Sequence, residues 1–310
     1  MKILFMGTPE FAVPSLEALN GKHEIVGIFT KVDKPNTRGG KIKFTPVKEY
    51  GIAHNIPVYQ PNNLRTEETY ELVKEINPDL IVVVAYGKII PNNIIEFPKY
   101  GIINVHSSIL PKYRGAAPIN AAIVAGEKET GVTIMDIAEE LDAGDIIEIG
   151  KTPITEEDNF LTLHDRLKNI GAETLAIAVE KIFNGTAVRI KQDHSAATFV
   201  KPFKKEDCRV NWSKTSEEVF NFVRGMSPFP GVFSEVDGKL MKIVEVKKCE
   251  NIYSDKSCGE VVDKDKHQGF IVKTGDKSVI LTKIKPENKG IISGVDSING
   301  KQLKIGDTLI

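Results

Sequence analysis

The sequence predicts an α/β protein, a doubly wound and mostly parallel sheet followed by a smaller antiparallel barrel. Two observations carry this. Through residue 189, short apolar runs alternate with segments of helical period, the pattern of strands joined by crossover helices. Beyond Asp207 that alternation stops, and short period-2 segments are cut by glycine turns, VDGK (236–239) and KTGDK (273–277).

Taken in order, the strands are KILFMG (2–7), HEIVGIFTK (23–31), IPVYQ (56–60), DLIVVVAYG (79–87) and GIINVHS (101–107). The run IVVVA is apolar at both parities, as a strand covered on both faces must be. Between the strands, FAVPSLEALN, PVKEYGIAHN, TEETYELVKEIN and NNIIEFPKY read as helices. GVTIM and IIEIG flank the acidic turn EELDAGD (139–145) as a hairpin, and a long helical pattern runs from Asn159 to Asn184, closed by Gly185. The domains expected are a catalytic domain over 1–189, a basic linker over 190–207 and a second domain over 208–310, opened by the helix TSEEVFNFVRGM.

The 310 residues carry a net charge of −1, so nucleic-acid binding would need local patches, not a global field. Three scattered cysteines, Cys208, Cys249 and Cys258, have no metal-like spacing and fit a reduced cytoplasm. KILFM shows no targeting pattern, no apolar run is long enough to span a membrane, and no exposed apolar stripe stands out, which points to a monomer.

In a doubly wound sheet the ligand lies beyond the carboxyl ends of the strands. The first such end, MGTPEF, has only Gly7 where a dinucleotide cradle needs several glycines, which excludes that chemistry. The second opens KVDKPNTRGGKIKF (31–44), with Lys31, Lys34, Arg38, Lys41 and Lys43 against the single acid Asp33. Such a loop neutralises phosphates without reading bases, or it is simply a solvated loop. The fourth end is Tyr86-Gly87. The fifth, INVHSSILPKYRGAAPIN (103–120), sets Asn104 and His106 at one parity, so both project to one face at the sheet's edge. Two converging donors suit an oxyanion. Asp142, in the acidic turn, would orient the ring and favour the imidazolium. Ser107 and Ser108 sit in no nucleophile elbow, and His106 lacks a second ligand at zinc spacing, so serine hydrolysis and a metal site are both set aside.

NVHSSILP, RGAAPI, GEKETGVTIM and LDAGDI, with FMGTPEFAVPSLEAL, DKPNTRGGK, VVVAYGKIIP, Trp212 in RVNW and MSPFPG, resemble in order and spacing the methionyl-tRNA formyltransferase family along the whole chain. The resemblance implies a formyltransferase-like sheet domain that binds 10-formyltetrahydrofolate, as formyl donor with no metal, and an OB-like barrel that helps hold tRNA. It places a catalytic trio on Asn104, His106 and Asp142, and folate contacts on Ser108, Ile109, Leu110 and Pro111, with Tyr86 and Gly87 at the neighbouring edge. It implies tRNA contacts in the basic loop, at Arg38, Lys34, Lys41 and Lys43; charge alone adds Lys205 and Arg209, near the linker, as a clustered face for the same partner. Ser107 and Ile109 depart from the family's usual Gly or Ala and Leu. The implied activity is formylation of methionine charged on initiator tRNA, with protonated His106 as second oxyanion donor. An amino-sugar formyltransferase is the alternative, sharing RGAAP-like segments but without the basic loop. A formyltetrahydrofolate hydrolase and a non-catalytic tRNA-binding module are further rivals.

Overall fold

Leu80–Val84, the run LIVVV, is buried at every position and forms the middle strand of a seven-stranded sheet. The computed structural model describes residues 1–35 and 42–310, except the side chains of Lys34, Pro35 and Ile42. In chain order the sheet takes β1 (Lys2–Gly7), β2 (Glu24–Phe29), β3 (Val58–Tyr59), β4 (Leu80–Val84), β5 (Ile102–His106), β6 (Glu129–Asp136) and β7 (Ile146–Pro153). Their spatial order is β7-β6-β5-β4-β1-β2-β3. Strands β3 to β5 pair in parallel through β1 and β2, while β6 runs antiparallel to β5, so the sheet is mixed and mostly parallel. The chain winds outward from β1 to β3 and returns to β4 on the other side, which makes the carboxyl ends of β1 and β4 the switch point.

The helices begin where sequence chemistry lets them. α1 is Val13–Leu19, with Pro14 in its first turn. α2 (Pro46–Ala53) and α3 (Glu67–Ile76) are capped by the hydroxyls of Thr45 and Thr66, which accept from Lys48 N and Thr69 N. α3 ends at Asn77, in the left-handed conformation at φ +48°. α4 shrinks to one turn, Asn92–Ile95, because Pro98 follows so closely; α5 is Pro118–Val124 and α6 is Phe160–Phe183.

Two compact units emerge from the contacts. The first comprises residues 1–115, 129–152 and 164–199; the second takes 116–128 and 153–163 together with 200–310. The second unit therefore includes α5, which a reading along the chain assigns to the first domain. The reason is packing. Asn120, 5% exposed, donates from Nδ2 to the carbonyls of Gly225 (2.7 Å) and Phe229 (3.0 Å), so α5 lies against α7 (Ser216–Met226). Gly225 allows the approach, since a Cβ there would sit 2.9 Å from Val124.

The second unit's sheet follows the order β8-β9-β12-β11-β10, from β8 (Val232–Val236), β9 (Lys239–Cys249), β10 (Val261–Asp265), β11 (Gly269–Lys273) and β12 (Ser278–Pro286). The β8–β9 turn is Asp237-Gly238, both at positive φ (+49° and +72°), the hairpin geometry that the sequence DG selects. Residues 306–310 close the sheet. Ile310 exchanges both backbone hydrogen bonds with Glu235 on β8, while Leu309 N donates to Gly259 and Val261 N to Asp307 beside β10. Inside, Trp212 is 4% exposed and donates from Nε1 to Ser234 Oγ at 2.9 Å. Among the described residues no helix is long and apolar enough to cross a membrane.

Candidate active site

β5 pairs with β6 in the register Asn104 to Met135 and His106 to Thr133, which fixes both side chains on one face at the strand's end. Asn104 is partly exposed, and among the described residues its amide has no hydrogen-bond partner. Two residues on, His106 is only 6% exposed. Its Nε2 lies 3.0 Å from the carbonyl oxygen of Tyr113, so Nε2 carries a proton and donates it. Nδ1 faces Asp142 Oδ2 at 3.6 Å, close enough for strong electrostatic coupling and too far for a hydrogen bond.

The turn that supplies Asp142 is built for this approach. Asp142 itself is left-handed at φ +51°, and its Oδ2 accepts from Gly115 N at 2.8 Å. Gly144 is obligatory, because a Cβ there would stand 1.8 Å from Asp136 O. Gln192 then clamps the turn, donating from Nε2 to the carbonyls of Asp142 (2.9 Å) and Gly144 (2.7 Å). Arg114, 2% exposed, in turn donates from Nε and Nη2 to Gln192 Oε1 at 3.2 and 2.7 Å. Neither Arg114 nor Gln192 is singled out by the sequence reading. Arg114 falls in the RGAAPI segment and Gln192 in the linker, but neither position carries a signal of its own.

Burial pushes the His106 pKa below the ordinary histidine value of 6.5, and Arg114 adds to this, while Asp142 and the Tyr113 carbonyl oppose it. The protonated ring expected from sequence is therefore disfavoured at rest. The neutral Nε2–H tautomer leaves Nδ1 as the basic atom beside Asp142. An NMR titration of the His106 ring is expected to show a midpoint below 6.5, and a midpoint above it would restore the imidazolium. The same shift makes the folded state lose stability as pH falls from 6.5 through the folded midpoint, since the unfolded chain binds the proton more readily.

The segment after His106 is a rigid turn. Thr133, fully buried, donates from Oγ1 to Ser108 O at 2.7 Å and accepts from Leu110 N at 3.1 Å. Ser108 is fully buried as well, and its hydroxyl is spent on Lys112 O at 2.7 Å. Leu110 packs into a small apolar cluster with Met135 and Ile146. What this segment offers a ligand is thus backbone and the partly exposed faces of Ile109 and Pro111. At the neighbouring edge, Tyr86 is 1% exposed within the core around Leu4, Met6 and Phe29, and burial pushes its phenol up to about 12. Gly87, exposed and at φ +70°, is the surface there, with Lys31 Nζ 2.7 Å from where a Cβ would stand.

A family profile described as "Formyl transferase" matches residues 1–179, and one described as "Formyl transferase, C-terminal domain" matches 202–302. A Fusobacterium nucleatum protein named methionyl-tRNA formyltransferase is 55% identical over 309 residues, covering 100% of both chains. The Bacillus subtilis protein of that name is 41% identical over 310 residues, covering 99% of this chain and 97% of that one. The chain belongs to the methionyl-tRNA formyltransferase family. Solved structures repeat the fold at lower identity. An N-formyltransferase from Helicobacter canadensis, in complex with folinic acid and dTDP-3-aminofucose, gives a TM-score of 0.67 at 22% identity, covering 91% of this chain and 98% of that one. HypX from Aquifex aeolicus in complex with tetrahydrofolic acid gives 0.63 at 19%, covering 98% of this chain and 48% of that one.

The residues that the sequence points to for RNA are placed unevenly. Arg38, Lys41 and the side chain of Lys34 lie outside the described residues. Lys43 and Lys205 are exposed. Arg209 is already engaged: Nη2 meets Glu235 Oε1 at 2.6 Å, Nη1 donates to Ile310 O at 2.9 Å, and the guanidinium lies over the Phe233 ring. It braces β8 and the closing segment.

The clamp can be tested. Gln192→Ala removes two of the hydrogen bonds that hold the Asp142 turn, leaving that from Gly115 N, and takes from the buried Arg114 guanidinium its better acceptor, leaving His194 Nδ1 at 3.4 Å. Turnover is expected to fall on the order of 10²-fold, as for a small misplacement of a reacting group. Stability should drop by about 1–3 kcal/mol for the orphaned donor. Steady-state kinetics beside thermal unfolding separate the two effects, and unaltered turnover would mean that the turn holds itself.

Proposed function

We propose that the chain transfers the formyl group of 10-formyltetrahydrofolate to the α-amine of methionine esterified to initiator tRNA. The observation that carries the chemistry is the Asn104 amide, unpartnered among the described residues, on the same strand face as a buried His106 whose Nδ1 stands 3.6 Å from Asp142. The choice of acceptor rests on the family. The formyl donor is read as a substrate lying between the end of β5 and the 138–145 turn, against the backbone of 108–111.

The uncharged amine attacks the formyl carbon, forming an N–C bond while the carbonyl π pair moves to oxygen. Asn104 donates to that oxyanion. The attacking nitrogen then carries a surplus proton, which the His106–Asp142 pair takes. A proton arriving on Nδ1 gives the ring one N–H there to donate to the oxyanion, with its charge balanced by the Asp142 carboxylate, which is when the second donor appears. The pair passes its proton to N10 as the C–N10 bond breaks and the carbonyl reforms. An α-amine of ordinary pKa, about 7.7–8.0, is partly neutral near pH 7, so positioning and oxyanion stabilisation supply most of the rate.

The test is transfer of labelled formyl from 10-formyltetrahydrofolate to methionine-charged initiator tRNA, beside free methionine, a UDP-amino sugar and a control without acceptor. Transfer to the charged tRNA alone is the expected result. Transfer to the sugar alone would replace the acceptor and keep the chemistry, and loss of formyl without acceptor would make the enzyme a hydrolase.

A further inference from the structure

Beyond β4, next to Gly87, an open cleft of about 420 Å³ is lined by Asn62, Asn63, Leu64, Arg65, Lys88 and Ile89. Its charge is the notable property. Lys88 Nζ donates to the carbonyls of Pro61 and Asn62 (the latter at 3.0 Å), which leaves one of its three N–H donors without an acceptor among the described residues. Arg65 anchors its main-chain N–H on Asn63 Oδ1 at 3.0 Å, and among the described residues its exposed guanidinium meets no acceptor. Lys31 adds a third charge beside Gly87. Burial and the nearby Lys31 hold the Lys88 pKa below the ordinary lysine value. Asp33, two residues from Lys31, is committed elsewhere, to Lys48 and to Gln60 Nε2 at 3.0 Å, and Glu67 and Glu68, two and three residues from Arg65, lie in the first turn of α3 and make no ion pair with it. Among the described residues no carboxylate pairs with Lys31, Arg65 or Lys88.

Three gathered cations without a counter-charge raise the local potential and favour an anion. The remaining lining says what is attached to it. Ile89, 74% exposed, gives apolar surface for a sugar or base above the buried Leu64, and the exposed Asn62 amide offers donors and an acceptor. We propose that this cleft seats one phosphate, with its nucleoside, from the acceptor end of the RNA substrate, held by Arg65 and the free N–H of Lys88. The seat rests on the reading that charged tRNA is the formyl acceptor.

The experiment compares wild type, Arg65→Ala and Arg65→Lys for KM toward methionine-charged initiator tRNA across a salt series. KM for 10-formyltetrahydrofolate is measured with and without its glutamyl tail. Arg65 is exposed, so both variants are expected to fold as wild type. Arg65→Ala should raise KM for the RNA about tenfold at low salt, the size of one charge-assisted contact. It should reduce the log–log salt slope by about one, with kcat and the folate KM unchanged, and Arg65→Lys should retain most of the slope. An unchanged RNA KM and slope overturns the seat. A change confined to the folate KM, and lost with the tail-free donor, overturns it in favour of the donor's carboxylates. Failure of the wild type to formylate charged tRNA would overturn the functional reading itself, whereas an active wild type whose RNA KM and salt slope are unmoved by Arg65→Ala removes only the seat.

Discussion

Asn104→Ala is expected to lower turnover by about 10²–10³, the usual cost of one oxyanion donor, with little change in KM for the formyl donor. The size follows from how little else the side chain does. Its amide has no protein partner among the described residues, so removing it orphans nothing. The backbone stays paired with Val83 on β4 and Met135 on β6, so the strand keeps its register. Loss of rate should therefore come without loss of fold, and single-turnover kinetics with circular dichroism check both. Asn104→Asp should be at least as damaging, since it sets a negative charge where one develops. An Asn104→Ala enzyme that retains wild-type turnover would take the oxyanion role away from this residue.

Asp142→Asn is expected to cost about 10²–10⁴ in turnover, the range of a positioned acid–base group. Asparagine preserves the geometry unusually well here. It tolerates the left-handed backbone at φ +51°, and its carbonyl oxygen can still accept from Gly115 N. What disappears is the charge 3.6 Å from His106 Nδ1. Because that carboxylate raises the His106 pKa against burial, its removal should move the NMR midpoint further below 6.5. The joint outcome is diagnostic. A lower midpoint with unaltered turnover would leave Asp142 as an electrostatic neighbour without a part in proton transfer.

Much of the fold was legible because its causes are local. The both-faces-apolar run at 80–84, the threonine caps of α2 and α3, and the Asp-Gly turn at 237–238 are each decided within a few residues. Asn104 and His106 were legible for the same reason, since strand parity alone places them on one face. The supports of the site were not. Arg114 and Gln192 are 78 residues apart, and no periodicity announces that one buried side chain grips the other. Thr133 reads as one more β-branched strand residue, yet it holds the 108–110 turn from 25 positions away. Tyr86 and Arg209 show the reverse case. One lies at a strand's edge and the other in a basic stretch, but the first is packed in the core and the second is neutralised by Glu235. Pairing in space overrides charge or position read along a line.

The placement of α5 has a consequence for descent. The second unit draws on three separate stretches of chain, and the first of them supplies the Asn120 amide that two of its own carbonyls require. A single recombination junction near residue 200 would carry over the long final stretch and leave α5 behind, exposing the face of α7 that Gly225 opens. A gene spliced there would inherit an unfinished module.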